Sequence, residues 1–163
     1  MGVPPAVWVA NATEAASVAE LLTEFRNWYG RDWPTDASFR ASVDGLIVRG
    51  DSEFLLGAPS PGARPVGVCQ LRFRHSAWTS ADDCWLEDLF VRADARGAGI
   101  GAALIDLAVE RARLRGCVRI ELDASEENEP ALRLYRARGF SEHSKTVAPY
   151  RELLLGLSLS NDL

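Results

Sequence analysis

Apolar residues recur along this chain at two spacings, and the switches between them outline its elements. "VWVA" (7–10) is a short apolar run that reads as an opening strand. Over 13–29, Val18, Leu21, Leu22, Phe25 and Trp28 follow the i, i+3, i+4, i+7 spacing of a helix with one buried face. Phe39, Val43 and Leu46 repeat that spacing more weakly over 36–46, with Thr35 placed as an N-cap. "EFLLGA" (53–58) and "VGVCQLRFR" (66–74) then read as strands, and the turn-rich "PSPGARP" between them predicts a hairpin. "CWLEDLFV" (84–91) is a third strand of that group, set off by the polar loop "HSAWTSADD".

The second half alternates differently. A helix is predicted over 101–115, with Ile100, Leu104, Leu107 and Ala108 inward and Gly116 as its stop. "VRIELDA" (118–124) is a strand. A short helix follows over 129–138, with Pro130 in its first turn and Gly139 at its end. "FSEHS" and "YRELLLG" (150–156) read as closing strands, and "LSLSNDL" (157–163) as a tail. Hairpins followed by strand–helix units predict an α/β chain with a mixed sheet and helices on both faces. A single domain over 1–156 is expected.

Composition narrows the classes. The chain has 163 residues, 47% hydrophobic and 25% charged, with net charge −5. That suits one globular domain and offers no basic face for nucleic acid. A cationic small partner fits the acidic balance better. Cys69, Cys84 and Cys117 lie in apolar runs without metal-type spacing, so buried reduced thiols and no metal are expected. The N-terminal stretch lacks a signal-peptide pattern, and no run reaches the roughly 18 apolar residues of a membrane span. A cytoplasmic protein without a membrane partner is the expectation.

The segment with most chemistry is "ARGAGIGAAL" (95–104). A nucleotide P-loop is excluded, since no lysine follows the glycines. Gly97, Gly99 and Ala102 do fit the dinucleotide pattern G-x-G-x-x-[G/A], with Glu121 and Asp123 about 20 residues on. Against it, "RADAR" separates the glycines from the preceding strand, and the upstream chain is not a series of parallel βαβ units. A third reading adds Arg96. Arg96-x-x-Gly99-x-Gly101 lies between a strand and a helix start, where backbone amides and the helix dipole form an anion cradle. Without Cβ atoms, the glycines let a pyrophosphate approach closely.

"ENEPALRLYRARGF" (127–140) carries a second pattern. Asn128, Ala131 and Tyr135 are three and four residues apart and share a helical face. Asn128 alone would also suit a helix cap, and Tyr135 alone a half-buried core aromatic. Together, in this order, the two segments resemble the motifs of the GNAT N-acetyltransferases. The likeness covers 84–140 best. "WLEDLFVRADARGAGIG" and "NEPALRLYRARGF" look closest to the diamine (spermidine/spermine-like) branch, whereas residues 1–60 carry little specific resemblance.

The resemblance implies a GNAT fold, with a mostly antiparallel sheet of about six to seven strands and about four helices. It implies acetyl-CoA as cosubstrate, gripped at its pyrophosphate by Arg96, Gly97, Ala98, Gly99, Ile100, Gly101 and Ala102. The backbone of Leu89, Phe90 and Val91 would pair with the pantetheine arm and offer an N–H to the oxyanion. Asn128, Pro130, Ala131 and Arg138 would contact the cofactor as well. Glu87 would deprotonate the amine, directly or through a water, and Tyr135 would serve the leaving thiolate. Asp88, expected on the opposite face by strand alternation, would contact a cationic substrate. His143 could lie near the pocket mouth, although a surface position suits it better.

The expected activity is direct acetyl transfer to a primary amine of a small molecule, such as a polyamine, a diamine or a basic amino-acid relative. A protein or peptide N-acetyltransferase of the same fold stays open, as does a non-catalytic acyl-CoA-binding domain. Relatives are often dimers and five tryptophans leave room for an apolar interface, so a homodimer also stays open.

Overall fold

The computed structural model describes residues 3–142, 155–157 and 159. The chain forms two compact units, Met1–Leu122 and Asp123–Leu163. The first unit contains β1 (Ala6–Val9), α1 (Ala15–Trp28), α2 (Asp36–Arg49), β2 (Ser52–Ala58), β3 (Gly67–Ser76), β4 (Ala81–Val91), α3 (Ile100–Leu114) and β5 (Arg119–Glu121). The second contains α4 (Glu129–Arg136). The strands form one sheet in the order β1-β2-β3-β4-β5. Its first three pairings are antiparallel and the last, β4 with β5, is parallel.

The mixed, mostly antiparallel sheet agrees with the sequence reading. Five strands occur among the described residues, against the six to seven expected. Of the two expected closing strands, Phe140–Glu142 and Leu155–Gly156 carry no strand; residues 143–154, with His143, lie outside the described residues.

Strand alternation builds a core on each face. On one face Phe54, Leu56, Val68 and Phe90 pack against Val18, Leu21 and Leu22 of α1 and Val43 of α2. On the other, Leu55, Cys69, Leu71, Cys84 and Leu86 pack against Ile100, Leu104, Ala108 and Ala112 of α3. Helix starts are capped as their sequences suggest. Asn11 and Glu14 form a reciprocal capping box ahead of α1, and Thr35 Oγ1 accepts the Ser38 N–H of α2 at 3.2 Å. Helix α2 runs on to Arg49, three residues past the predicted end, and stops at Gly50 in the left-handed region.

Three sequence expectations change. Trp28, assigned to the buried face of α1, is 54% exposed. It sits in the last turn, where the guanidinium of Arg96 covers its ring at 5.7 Å. The polar stretch "HSAWTSADD" is mostly strand. β3 runs to Ser76 and β4 begins at Ala81, leaving only 77–80 as the turn. The cross-strand partners here, Arg74 with Asp83 and His75 with Asp82, are polar where an apolar alternation would have signalled the hairpin. β5 spans only Arg119–Glu121, because its parallel pairing reaches just Asp83–Trp85 of β4.

Two features place the start of α3. Gly57 and Gly67 are direct cross-strand partners. A Cβ on Gly57 would lie 2.7 Å from Ile100 Cγ2, and one on Gly67 would lie 3.1 Å from Leu104 Cδ1. This bare patch lets the first turns of α3 settle directly on the sheet. At the far end of the helix, Glu53 of β2 receives hydrogen bonds from Arg111 (2.8 Å to each carboxylate oxygen) and Arg115 (2.9 Å). Burial works to raise the Glu53 pKa, but the hydrogen bonds and charges of the two arginines outweigh it and hold the carboxyl below its usual value.

Glu53→Gln is expected to cost about 1–2 kcal/mol in urea unfolding at pH 7, less than a sealed ion pair because both arginines reach water. The folded pKa lies below the unfolded one. The ion-pair contribution is therefore complete above the model-peptide value of 4.5 and disappears as pH falls through the folded pKa. The stability gap between wild type and variant should narrow on acidification. A gap that stays constant down to pH 3 would count against this assignment.

Candidate active site

The site candidates of the first unit begin in β4. Leu71 of β3 pairs with Leu86 and Gln70 pairs with Asp88, so Glu87 is an extra residue without a cross-strand partner. This is a β-bulge. The faces of the strand confirm the slip. Cys84 and Leu86 pack on the α3 side, and so do Leu89 and Val91, although their parity is opposite. Phe90 packs on the α1/α2 side. Counting forward from Leu86 puts Glu87 on the α1/α2 side; counting back from Phe90 puts Asp88 there too. The alternation expected to send Asp88 to the opposite face therefore fails, because the bulge resets it. Two adjacent carboxylates share one face, with Glu87 exposed and Asp88 half-buried.

Beyond the bulge, the Phe90 side chain is core and stacks on Phe25 at 5.2 Å, so a ligand could meet only its main chain. Leu89 and Val91 are half-buried on the other face. The chain leaves β4 through Arg92, whose guanidinium binds Glu24 of α1 at 2.5 and 2.7 Å. A 3-10 turn over Ala93–Ala95 follows. Arg96 folds back to donate from Nε to the Val91 carbonyl at 3.0 Å.

Gly97 and Gly99 both take φ of +80°, the left-handed region that favours glycine. Gly99 is the N-cap of α3 and brings no side chain to occupy the amides of Ile100 and Gly101. Those amides precede the first helical bond, from Ala103 N–H to the Gly99 carbonyl at 2.9 Å. The Ile100 side chain is buried against the glycine patch, while residues 96–99 are exposed. Gly101 and Ala102 are half-buried in the first turn. Among the described residues, a Cβ built on Gly97 or Gly99 meets no atom beyond its chain neighbours within 4 Å. The loop is thus an open backbone concavity at the positive end of a 15-residue helix, which fits a pyrophosphate.

In the second unit, Asn128 caps α4, its Oδ1 accepting the Ala131 N–H at 3.4 Å. The capping role weighed from sequence is therefore present, and it leaves Nδ2 out of the cap. Pro130 lies in the first turn. Ala131 and Tyr135 follow on one helical face, and Arg138 comes just after the helix. Tyr135 is buried, with its ring 5.8 Å from Phe140.

The cysteines take no part in this arrangement. All three are free thiols; Cys69 and Cys84 are buried and Cys117 is half-buried. Burial pushes the Cys69 thiol well above its ordinary value and Cys84 up to about 12, so neither is a thiolate nucleophile at neutral pH. Among the described residues no group of three or more His, Cys, Asp or Glu could hold a metal, and no helix is long and apolar enough to cross a membrane.

Sequence reasoning missed the bulge, the Gly57–Gly67 patch and a buried polar pair, Ser52 and Gln70, beside Asp88. The bulge did leave a trace: apolar positions fall on even numbers before Glu87 (Cys84, Leu86) and on odd numbers after it (Leu89, Val91). Trp85 and Phe90, apolar on the other face, hid it.

Comparison with known proteins bears on this geometry. The family model described as the acetyltransferase (GNAT) family matches residues 18–140. Thialysine N-epsilon-acetyltransferase of Sus scrofa is 35% identical over 86 residues, 50% of this chain and 49% of that protein. "Probable glucosamine 6-phosphate N-acetyltransferase 2" of Oryza sativa subsp. japonica is 31% identical over 121 residues, 71% of this chain and 70% of that protein. A crystal structure described as "a probable acetyltransferase" superimposes with a TM-score of 0.82 at 25% identity, covering 94% of this chain and 98% of the other. The chain spans about half the length of the thialysine acetyltransferases of Sus scrofa and Bos taurus.

Proposed function

The chain belongs to the acetyltransferase (GNAT) family, and within it we propose an acetyl-CoA-dependent N-acetyltransferase that acts on a primary amine of a small molecule. The observation that carries this reading is the bulge in β4, which sets the Glu87 and Asp88 carboxylates side by side on one sheet face. A primary amine is an ammonium at neutral pH, with a pKa near 10 for a lysine-like group. It needs an anion to hold it and a base to remove a proton before it can attack. Two adjacent carboxylates can divide these tasks, Asp88 holding the cation and exposed Glu87 taking the proton, directly or through a water. The named relatives, on thialysine and glucosamine 6-phosphate, support N-acetyl transfer as the reaction class.

Acetyl-CoA, when bound, supplies an acetyl group already activated as a thioester. The amides of Ile100 and Gly101, with Gly97 and Gly99 clearing the approach, suit its pyrophosphate. For the second unit, we assign contact with the cofactor to Asn128, Pro130, Ala131 and Arg138, and donation of a proton to the departing sulfur to Tyr135. The direct route asks nothing of the cysteines, in keeping with their raised pKa values.

The test is a panel of acceptors assayed with acetyl-CoA for free thiol release: 1,4-diaminobutane, spermidine, lysine, thialysine, glucosamine 6-phosphate and a set of peptides. Turnover of at least one small amine is expected. Activity confined to peptides would overturn the small-molecule reading. Binding of CoA without turnover of any acceptor would overturn catalysis altogether.

A further inference from the structure

Gln70 of β3 stands opposite Asp88, at the step where the ladder slips. Its side chain is 7% exposed, on a sheet face otherwise lined by Phe54, Leu56, Val68 and Phe90. Gln70 Nε2 donates to Ser52 Oγ at 3.3 Å. Ser52, itself buried, spends its hydroxyl proton on the Leu71 carbonyl at 2.9 Å. A hydroxyl has one proton, so Ser52 can only accept from Gln70. This fixes the orientation of the amide: the nitrogen faces Ser52 and Oε1 faces away.

Gln70 Oε1 takes no hydrogen bond among the described residues. The sealed and unpaired side-chain oxygens there are Asp51 Oδ1 and Asp83 Oδ1, and Gln70 Oε1 is not one of them. It is an oriented acceptor, open to a donor from outside the protein. A glutamine carries a desolvation cost at this position that an apolar side chain would avoid, so packing does not explain it.

We propose that Gln70 is an acceptor-binding residue, its Oε1 receiving an N–H hydrogen bond from the substrate amine while the bulge carboxylates meet the same nitrogen. A primary ammonium has three N–H donors and can satisfy several oxygens at once, whereas a tertiary ammonium has one. The Ser52–Gln70 relay therefore adds selectivity for primary amines. The proposal rests on the N-acetyltransferase reading above.

The experiment uses the full chain and the panel amine with the highest kcat/KM. Gln70→Met keeps the volume but removes the acceptor, Gln70→Glu keeps an oxygen in place, and Ser52→Ala frees the amide to turn over. For Gln70→Met, a roughly tenfold rise in the amine KM is expected. Calorimetry on the CoA-loaded protein should show the same weakening of amine binding, with the acetyl-CoA KM within about twofold and Tm preserved. Gln70→Glu should bring amine affinity back to within about threefold of wild type, and Ser52→Ala should lose several-fold. An unchanged amine KM in Gln70→Met, a parallel loss of amine and acetyl-CoA affinity, or no rescue by Gln70→Glu would each overturn the assignment. If Gln70→Met does not fold, the Ser52→Ala and Gln70→Glu measurements decide it alone. A wild type that acetylates no amine removes the proposed function and this inference together; an active wild type indifferent to Gln70 removes the inference alone.

Discussion

Gly99→Val is expected to weaken CoA binding by more than about a hundredfold while leaving the protein folded. Two effects combine. Valine is β-branched and strongly disfavoured at φ +80°, so the loop will move to relieve strain of about 1–2 kcal/mol. That movement takes the Ile100 and Gly101 amides off the pyrophosphate, and each hydrogen bond to a charged group is worth about 1.5–3 kcal/mol. Packing against the described residues does not contribute, because a Cβ at this position meets none of their atoms beyond its chain neighbours within 4 Å. Gly99→Asn separates the effects, since asparagine tolerates the left-handed region. It should bind CoA better than the valine variant and worse than wild type. Titration calorimetry with CoA, alongside thermal unfolding, reads both. Undiminished affinity in Gly99→Val would remove the phosphate from this loop.

Tyr135→Phe should lower kcat by about a hundredfold and leave the CoA dissociation constant within about threefold. The substitution removes one oxygen and keeps the ring that packs beside Phe140. A hydroxyl that gives its proton to the leaving sulfur acts only as the bond breaks, so its loss belongs in kcat. Rapid-mixing measurements of the acetyl-transfer step would place the loss there. Equal losses in kcat and CoA affinity would mean that Tyr135 is a packing residue and that the thiolate finds its proton elsewhere.

The elements of this fold were legible where apolar residues are buried, on one face of a helix or on both faces of a strand. Helix α1 and strands β2 and β3 show their apolar residues at the spacing their geometry demands, and their boundaries were readable to within one or two residues. The outer part of the β3–β4 hairpin was missed because its cross-strand partners, Arg74 with Asp83 and His75 with Asp82, are polar, which leaves no apolar alternation to read. Trp28 misled for the opposite reason: it keeps helical spacing with Leu21 and Phe25 but ends the helix exposed, with Arg96 as its cover. The glycine loop was legible because a left-handed backbone at a helix start restricts the residue types it accepts. The seat of the amine was not, because it depends on a register slip and on the hydrogen-bonded orientation of Gln70, and neither follows from residue spacing.

The bulge has a further consequence for how the length of β4 can vary. Leu86 and Asp88 already face their partners Leu71 and Gln70 in the order a regular ladder would require. Removing one residue of the Glu87–Asp88 pair would close the gap and leave every other side chain of β4 on its present face, whereas losing a residue farther along the strand would turn part of it inside out. The sheet can therefore do without one carboxylate of the pair, and would pair more continuously in its absence. A shortened β4 is a route by which descendants of this chain could gain stability and give up chemistry in a single deletion.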